Sequence, residues 1–292
     1  MDLVIKVPYV PVLGETIVGD EFETIPGGKG ANQAAASARL GSSTAIIGRV
    51  GRDAFGEALK NSMDSFGVDT SGLIVDEKAR TGVAMIMVSE KDNIIAISEG
   101  ANANVSIEDI EAAAPIINSA DFILLQFEIP TGTIEYIIKK YRDSKKIFLD
   151  PAPFKEIKAE YLDGLYVAVP NTNEAEKLCR ISINETADVF KALDILREMG
   201  IKYPIVTLGS KGAAYFDGHE NKLVDAYKVS SVDTTAAGDT FLGALALAKL
   251  EGKNIDEAVA FASASAALAT CKYGAQTSIP ARVDVDSFMR NV

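Results

Sequence analysis

Four short apolar runs, each bounded by turn-forming residues, recur from the middle of the chain onward and constrain its fold more than any other feature. They occupy residues 121–128, 146–150, 165–171 and 203–210. Runs of this length and apolarity are typical of strands that are buried on both faces. Segments with a helical spacing of apolar residues lie between them, at residues 106–118, 131–141 and 185–199. Because strand and helix alternate, the sequence predicts an α/β fold with a mostly parallel sheet and helices on both faces.

Capping residues and composition add three further helix predictions. Ser106 followed by Asp109, and Asn254 followed by Glu257, match the pattern in which two residues at a helix start exchange side-chain and backbone hydrogen bonds. Two alanine-rich helices are predicted in the last third of the chain, at residues 239–251 and 255–271. Another helix is expected to follow residues 27–34.

Two segments alternate apolar and polar residues and so differ from the buried runs. They lie at residues 16–25 and 81–98, and the second contains a polar turn at 90–93. Alternation of this kind is typical of antiparallel strands with one solvated face. The sequence therefore predicts a small β sheet that stands apart from the main one.

The balance of charge limits the partners that this chain can bind. Its 292 residues include 29 Lys and Arg against 41 Asp and Glu, a net charge of −12 without a compensating basic block. Binding to a nucleic-acid backbone is therefore not expected. The first residues lack the features of a secretory signal, and no apolar run approaches the about 18 residues of a membrane span. We expect a globular, cytoplasmic protein with no membrane partner.

Histidine and cysteine are too few for several kinds of catalytic site. His219 lies in a polar stretch at 217–220 that predicts a turn between strands, and Cys179 and Cys271 are far apart in the sequence. These residues cannot form a His/Cys metal site or a Cys-x-x-Cys redox pair, and a Ser-His hydrolase would depend on a loop histidine. Any catalytic metal is therefore expected on oxygen ligands.

Polar residues stand where the predicted strands end. Glu128, Asp150, Asn171 and the turn at 207–212 follow the four apolar runs in order. Taken singly, each is explained as a helix cap or a turn residue. Because ligands bind beyond the carboxyl ends of parallel strands, four polar strand ends in series predict a shared cleft.

The segment Gly-Gly-Lys-Gly-Ala-Asn-Gln-Ala at 27–34 is the first of two glycine-containing motifs. It is not a Walker A loop, because Lys29 is followed by Gly30, and not a dinucleotide fingerprint, because Gln33 occupies the place of the third glycine. Its glycines allow the backbone to approach a ligand closely, and Lys29 and Asn32 supply donors. The alternative interpretation is a turn that starts a helix.

The second motif is Asp-Thr-Thr-Ala-Ala-Gly-Asp-Thr-Phe at 233–241, which leads into the helix predicted at 239–251. Its small residues leave the first backbone N–H groups of the helix uncovered, which favours an anion such as phosphate. Asp239 lies in the same first turn, where a capping carboxylate is also favourable. A carboxylate beside an anion site is what phosphoryl transfer to an alcohol requires.

These two motifs, with TLGSKG at 207–212 and GAQTSIP at 274–280, resemble the ribokinase-like (PfkB) family of carbohydrate kinases in the same order along nearly the whole chain. The forms GGKGAN and GAQ favour the ribokinases within it. The resemblance implies a three-layer α/β/α core with a β lid. It places the core at residues 25–80 and 99–292 and the lid at 3–24 and 81–98. It also implies a homodimer that forms through the lid.

The resemblance implies ATP-dependent phosphorylation of D-ribose at its 5-hydroxyl, which gives ribose 5-phosphate and ADP. Asp239 would be the general base, and Ala236, Ala237 and Gly238 would form the anion hole. The residues implied around the sugar are Asp2, Gly28, Lys29, Gly30, Ala31, Asn32, Glu128 and Asp239. Carboxylates suit this task because each accepts hydrogen bonds from neighbouring hydroxyls.

For the nucleotide and the metal ions, the resemblance implies three groups of residues. Those along ATP are Asn171, Thr207, Leu208, Gly209, Ser210, Lys211, Gly212, Gly238 and Ser263. Ser263 stands where ribokinases often have histidine. Glu174 would influence Mg²⁺ indirectly, although the neighbouring Thr172 replaces a glutamate common in ribokinases. The residues implied around K⁺ are Asp233, Thr235, Ala269, Lys272, Gly274 and Ser278, mostly through backbone carbonyls.

The sequence departs from the family at its start. Ribokinases have a first core strand that ends in an Asn-x-Asp element, whereas Met1 here directly precedes Asp2. We therefore expect the first core strand to be missing before Met1, with a misassigned start or a shortened chain as the preferred explanation. Unpaired strand edges left in this way would cost stability and favour aggregation.

Other functions remain open at this point. A sibling kinase for deoxyribose, fructose or a nucleoside would use the same motifs, although a ribokinase-like lid argues against the space that a nucleoside base needs. A non-catalytic sugar-binding protein is a candidate from another class. Lys29 and Asp239 argue against it. A dinucleotide-dependent oxidoreductase is a weaker candidate because no complete fingerprint is present.

Overall fold

The computed structural model describes residues 1–89 and 93–292. Its strands are β1 (Asp2–Lys6), β2 (Phe22–Ile25), β3 (Ala45–Gly51), β4 (Asp69–Asp76), β5 (Val83–Val88), β6 (Asn93–Ser98), β7 (Phe122–Gln126), β8 (Lys146–Asp150), β9 (Val167–Ala168), β10 (Tyr203–Thr207), β11 (Ala213–Phe216) and β12 (Asn221–Val224). Its helices are α1 (Lys29–Leu40), α2 (Ala54–Ser65), α3 (Ile107–Ala112), α4 (Ala114–Ser119), α5 (Thr131–Tyr141), α6 (Thr172–Cys179), α7 (Thr186–Glu198), α8 (Ala237–Leu250), α9 (Ile255–Ala269) and α10 (Arg282–Arg290).

The main sheet has six strands in the order β12-β11-β10-β9-β8-β7. Strands β7 to β10 are parallel, and β11 and β12 continue the sheet as antiparallel strands. The mostly parallel sheet predicted from the apolar runs is therefore confirmed. One strand is shorter than predicted, because only Val167–Ala168 of residues 165–171 forms a regular strand, although single hydrogen bonds such as Val169 N–H to the Leu149 carbonyl flank it. The run then reaches Pro170, which has no N–H to donate, and Asn171, which caps α6.

Helices cover both faces of this sheet. Ile147 and Leu149 of β8 pack in a core with α5 and α7, whereas Phe148 between them packs in a second core with α8 and α9. Successive strand residues point to opposite faces, so one strand serves both cores. This gives the three-layer α/β/α arrangement. None of the helices in the described ranges is long and apolar enough to span a membrane.

The predicted helix at 106–118 is two helices, α3 and α4. Pro115 lies in the first turn of α4 and cannot donate the hydrogen bond that would continue α3. The capping boxes predicted from Ser106 with Asp109 and from Asn254 with Glu257 are both formed. Both alanine-rich helices begin and end within two residues of the predicted bounds.

The lid is a four-stranded sheet in the order β2-β1-β5-β6. Strands β5 and β6 form the predicted antiparallel hairpin, and residues 90–92 of its turn lie outside the described residues. The alternating segment at 16–25 is a strand only from Phe22 onward, because its partner β1 ends at Lys6. Strand β1 itself was not predicted from the sequence.

The core sheet is interrupted between β3 and β7. In the described ranges β3 pairs in parallel with β4 alone, and the pair is not hydrogen-bonded to the six-stranded sheet. A largely apolar cavity of about 530 Å³ is lined on one side by β3 and on the other by β7. It reaches Met1, Gly28 and Glu128 at the carboxyl end of these strands. Because protein interiors are normally close-packed, this gap is a break in the packing of the core.

Candidate active site

The amino end of α1 approaches both the lid and β7. Gly28 precedes the helix with φ +96°, a conformation that favours glycine. Gly27 lies against the lid, where a Cβ atom would come within 2.2 Å of Asp2 Oδ2. The backbone N–H of Lys29 donates to Glu128 Oε2 at 2.8 Å, so Glu128 satisfies the start of the helix. These contacts bring the predicted sugar residues Asp2, Gly28, Lys29 and Glu128 together.

The amino end of α8 carries the second motif. Ala236 precedes the helix in the left-handed conformation with φ +58°, and no side chain in the described structure caps this end. A Cβ atom on Gly238 would meet no atom within 4 Å, so the helix start borders open space. The uncovered N–H groups and the helix dipole make this end suitable for an anion.

Asp239 in the first turn of α8 is held by donors from α1. Its Oδ2 accepts from Asn32 Nδ2 at 2.9 Å, and its Oδ1 accepts from Gln33 Nε2 at 3.1 Å. Lys29 Nζ lies 3.7 Å from Oδ1. Asp239 is only 5% exposed, so these contacts form in a largely desolvated environment where they are strong.

Asp150, at the end of β8, joins the same cluster. Its Oδ2 accepts from Lys29 Nζ at 3.2 Å and from Gln33 Nε2 at 3.0 Å. Burial raises the pKa of Asp150 to about 7, with attraction to Lys29 opposing the effect and repulsion from Asp239 and Glu174 adding to it. Strand-end position identified Asp150 as a candidate from sequence, whereas the implied sugar set did not include it.

Gln33 was missed as a functional residue. It was examined only as a departure from a dinucleotide fingerprint, yet its amide contacts both Asp150 and Asp239 and accepts from Gln126 Nε2 at the end of β7. Helical spacing was the available signal, because Lys29, Asn32 and Gln33 at i, i+3 and i+4 lie on one face of α1.

Buried charge shapes the sugar end of the site. Burial raises the pKa of Glu128, with repulsion from Asp239 and Asp2 adding to the effect and the Lys29 N–H opposing it. Burial also raises the pKa of Asp2. Burial disfavours the charge of Lys29, but attraction to Asp239, Asp150 and Glu128 outweighs it and raises the pKa of Lys29. Lys29 therefore stays an ammonium ion among carboxylates.

The other predicted sugar residues lie on the α1 side of the site. Gly30 approaches the Gln126 side chain, since a Cβ atom would come within 3.2 Å of its Oε1. Ala31 faces the cavity between β3 and β7. Both therefore contribute backbone shape rather than polar side-chain contacts.

A second, smaller cavity of about 70 Å³ connects this cluster to the predicted nucleotide residues. Its lining is Lys29, Asp150, Ala152, Val169, Asn171, Glu174, Thr207, Gly238 and Leu242. Asn171 and Glu174 form a capping box at the start of α6, with Asn171 Oδ1 accepting from the Glu174 N–H at 3.0 Å. The carboxyl ends of β8 and β10 and the amino ends of α6 and α8 thus meet around one cavity. A shared cleft at the strand ends is what the sequence predicts.

The turn after β10 extends outward from this cavity. A tight helical turn spans Gly209–Lys211, and the Leu208 N–H donates to the Gly212 carbonyl at 2.8 Å. Ser210 and Lys211 are exposed there, and Ser263 is half-buried on α9. In the part of the chain that the structure describes, these three residues do not line the small cavity.

Asp233 connects the two loops that the resemblance assigned to K⁺. Its Oδ1 accepts from the Thr235 N–H at 2.9 Å, and its Oδ2 accepts from the Gly274 N–H at 2.9 Å. The Lys272 N–H donates to the Ala269 carbonyl at 3.4 Å. Ser278 Oγ donates to the Ala275 carbonyl at 2.8 Å.

Carboxylate-rich metal clusters are not part of this arrangement. In the described residues no three His, Cys, Asp or Glu side chains are grouped so as to hold a metal ion. His219 is exposed in the turn between β11 and β12, which agrees with the predicted turn. Asp239, Lys29 and the amino end of α8 place a buried carboxylate that can accept a hydroxyl proton beside groups that can stabilise an anion.

The chain is similar to known proteins over nearly its whole length. A family model described as pfkB family carbohydrate kinase matches residues 1–282. The chain is 37% identical to the ribokinase of Bacillus subtilis over 293 residues, covering 99% of this chain and 96% of that protein. It is 36% identical to the ribokinase of Haemophilus influenzae over 294 residues, covering 99% and 95% respectively.

Solved structures agree with these relatives. The ribokinase of Thermotoga maritima superimposes with a TM-score of 0.91 at 38% identity, covering 99% of this chain and 96% of that one. The ribokinase of Arabidopsis thaliana, solved in complex with ribose and ATP, superimposes with a TM-score of 0.90 at 33% identity, covering 99% and 95%.

Proposed function

The chain belongs to the pfkB family of carbohydrate kinases, and on this premise we propose that it transfers a phosphoryl group from ATP to the 5-hydroxyl of D-ribose. The products are ribose 5-phosphate and ADP. The observation that carries this proposal is the buried Asp239 at the uncovered amino end of α8, bonded to Asn32 and Gln33 and facing Lys29. Ribokinases at 36% and 37% identity, with nearly complete coverage, support ribose as the acceptor.

Asp239 acts as the general base. The ribose 5-hydroxyl approaches one of its carboxylate oxygens, and the proton passes to that oxygen as the new bond to phosphorus forms. Asn32 holds the other oxygen, which fixes the direction of the carboxylate. A fixed base saves the entropy of orienting the two reacting groups.

The remaining hydroxyls of the sugar bind between the lid and α1. We assign Asp2 and Glu128 as acceptors and Lys29 and Asn32 as donors for them. Asp2 belongs to the lid sheet, whereas Glu128 and Lys29 belong to the core, so sugar binding joins the two parts. The lid at 3–24 and 81–98 and the core at 25–80 and 99–292 then act as the two walls of one site.

The start of α8 stabilises charge on the group in transfer. The backbone N–H groups of Gly238 and Asp239 lie at an end that no side chain caps in the described structure, whereas the Ala237 N–H donates to the Thr234 carbonyl at 3.2 Å. Ala236 in its left-handed conformation turns the chain into this helix. Such preorganised donors stabilise negative charge as it develops in the transition state.

ATP and Mg²⁺ fit the side of the site formed by β9, β10 and α6. We propose that ATP lies along Asn171, Thr207 and the 209–212 turn and reaches the small cavity beside Gly238. The oxygen donors of Asn171, Glu174 and Thr207 around this cavity suit Mg²⁺, which prefers oxygen ligands and keeps bound water. When bound, Mg²⁺ neutralises phosphate charge.

K⁺ fits the loops that Asp233 joins behind the anion site. We propose that carbonyl oxygens of these loops hold it, with Thr235 and Gly274 brought together by the two hydrogen bonds of Asp233. Rings of carbonyl oxygens replace the hydration shell of K⁺. When bound, the ion adds a positive charge beside the start of α8.

We also propose that two chains associate through their lids. Phe22 of β2, Met85 of β5 and Ile94 of β6 are exposed, and the strand register places them on the same face of the lid sheet, opposite to the face of Asp2. Exposed apolar side chains clustered on one small sheet are typical of an interaction surface. A kinase that uses ATP acts where ATP is present, which supports a cytoplasmic location.

The experiment that tests this function is an ADP-release assay with Mg-ATP and K⁺, in which ribose, deoxyribose, fructose and adenosine are compared with a sample without acceptor. Turnover that is selective for ribose is expected. Preference for another acceptor would retain the mechanism and change the substrate to that of a sibling kinase. No turnover with any acceptor by a folded sample, together with ribose binding, would instead support the non-catalytic sugar-binding alternative.

A further inference from the structure

Asp150 lies beside Asp239, the proposed base, and the two carboxylates share two donors, Lys29 and Gln33. Lys29 Nζ lies 3.2 Å from Asp150 Oδ2 and 3.7 Å from Asp239 Oδ1. Gln33 Nε2 lies 3.0 Å from Asp150 Oδ2 and 3.1 Å from Asp239 Oδ1. Both donors are thus shared between a carboxylate at the end of β8 and the base on α8.

The orientation of the Gln33 amide is set by a third residue. Its Oε1 accepts from Gln126 Nε2, so its Nε2 group faces the two carboxylates. An amide nitrogen has two N–H bonds, and here one is available for each carboxylate. Gln126, Gln33, Asp150 and Asp239 therefore form one connected network across β7, α1, β8 and α8.

Without Asp150, the Lys29 ammonium would have Asp239 as its nearest carboxylate partner in this network. A carboxylate that accepts a full hydrogen bond from an ammonium ion holds a proton less well, and one of its oxygens is occupied. Both effects would make Asp239 a weaker general base. The 3.2 Å hydrogen bond of Lys29 goes instead to Asp150.

We propose that Asp150 is a positioning residue for the phosphoryl transfer: it holds the Lys29 ammonium and one N–H of Gln33. Asp239 Oδ1 then accepts only the other N–H of Gln33 and keeps a lone pair for the sugar hydroxyl. This inference rests on the proposed function, because it assigns a role in the same reaction. Asp150 itself touches neither substrate in this role. It acts through Lys29 and Gln33.

The charged groups that face Asp150 make this role depend on pH. They are Lys29 from α1, Asp239 from α8 and Glu174 from α6. Burial raises the pKa of Asp150 to about 7, so the carboxylate gains a proton as the pH falls through neutrality. Protonated Asp150 attracts the Lys29 ammonium less strongly, and Lys29 then interacts more strongly with Asp239.

The test compares kcat and KM for ribose between pH 5.5 and 8.5 in the unmodified chain, Asp150→Asn and the control Asp143→Asn. Asp143 is exposed just before β8, so the control removes one negative charge outside the site. We expect Asp150→Asn to lower kcat about tenfold at pH 8, with a smaller change in KM, because general-base catalysis contributes about 10²–10⁴ and a Lys29 hydrogen bond to Asp239 would remove part of it.

At pH 6 the expected difference in kcat between Asp150→Asn and the unmodified chain is about twofold or less, since Asp150 is then already protonated. Asp150→Glu, which restores a carboxylate, is expected to recover part of the loss at pH 8. A residue that served only packing would lower kcat by the same factor at every pH.

Several results would overturn this inference. They are an Asp150→Asn profile that parallels the unmodified one, a change in KM alone, or an equal effect of Asp143→Asn. If circular dichroism shows that Asp150→Asn is unfolded, Asp150→Ala replaces it with the same expectations. Absence of turnover by the unmodified chain with every sugar would overturn the proposed function as well, whereas unchanged kinetics of Asp150→Asn in an active enzyme would overturn only the role of Asp150.

Discussion

The Asp2 carboxylate packs directly against Gly27, where a Cβ atom would lie 2.2 Å from Asp2 Oδ2. A residue of the lid sheet and a residue of the core loop therefore share one small space. Any side chain at position 27 would have to displace the carboxylate or move the lid strand. This contact makes the sugar end of the site depend on how the lid rests on the core.

Gly27→Ala is expected to raise KM for ribose at least about tenfold, because loss of a charge-assisted hydrogen bond costs about 1.5–3 kcal/mol. The effect on kcat is expected to be smaller, since Asp239 is untouched. Steady-state kinetics measure both constants. Gly132→Ala is the matched control, because a Cβ atom there would meet no atom within 4 Å. Equal KM values for the two variants would contradict the assigned role of Asp2.

Asp239→Asn is expected to lower kcat by about 10²–10⁴, the usual contribution of a general base. Asparagine keeps the size of the side chain but cannot take the hydroxyl proton. Ribose binding, measured by calorimetry, is expected to change little, because Asp2, Glu128 and Lys29 remain. Cooperative unfolding of the same Asp239→Asn preparation is the control, because it shows that the variant is folded. Turnover within about tenfold of the unmodified chain would show that another group serves as the base.

Asp150→Asn is expected to change how stability depends on pH. Burial raises the pKa of Asp150 to about 7, above that of an aspartate in the unfolded chain. Between about pH 4 and pH 7 the folded state therefore binds the proton more tightly, and this group's contribution to stability is lost as the pH rises. The stability of the unmodified chain relative to the variant is expected to fall by about 2 kcal/mol from pH 5 to pH 8.

Urea unfolding of Asp150→Asn and of the unmodified chain at pH 5 and pH 8 measures this difference. Carboxylates distant from Asp150 contribute equally to both proteins, so their contributions cancel. A difference that is independent of pH would contradict a raised pKa for Asp150. A difference of the opposite sign would mean that the Lys29 contact outweighs burial.

Met85→Glu is expected to weaken the proposed association of two lids. Met85 is 60% exposed on β5, and a carboxylate there would lose its water in an apolar interface. Light scattering after gel filtration is expected to give a dimer for the unmodified chain and a monomer for the variant. Val283→Glu, at an exposed position on α10, is the control. A monomeric unmodified chain would contradict the proposed homodimer.

An added strand is expected to stabilise the core. An extended apolar segment of about seven residues, fused ahead of Met1, could enter the cavity between β3 and β7 and pair in parallel with both strands. Burial of a few apolar side chains is expected to raise the free energy of unfolding by about 2–5 kcal/mol. The same segment with a central proline is the control, since proline removes a ladder hydrogen bond. Equal unfolding free energies for both fusions would show that the segment stays outside the cavity.

Much of the architecture could be predicted because it depends on local patterns. The apolar runs at 146–150 and 203–210 are strands because burial on both faces selects such runs wherever they occur. Asn254 and Glu257 start α9 because a capping box needs only residues three apart. Strand β9 was predicted too long for a related reason. Its continuous ladder stops after Ala168 because Pro170 has no N–H to donate, and only single hydrogen bonds, such as that from the Thr207 N–H to the Pro170 carbonyl, lie beyond it.

The candidate site was predictable in kind but not in its connections. Gly27, Lys29 and Asp239 stand in motifs whose spacing indicates a ligand. No local pattern shows that Gln33 touches both Asp150 and Asp239, because these contacts join residues 117 and 206 positions apart. Gln126 likewise became part of the network only when β7 and α1 came together.

The sequence by itself determined the α/β order of elements, the glycine-containing turns and the acidic and amide residues of the site, because these follow from residue type and spacing along one chain. The tertiary structure alone decided which donors Asp150 and Asp239 share, how Asp2 meets Gly27, and that β3 and β7 face a common cavity. The reason is physical. Burial, pKa and hydrogen-bond partnership depend on atoms that folding brings within a few ångström, whatever their distance in the sequence.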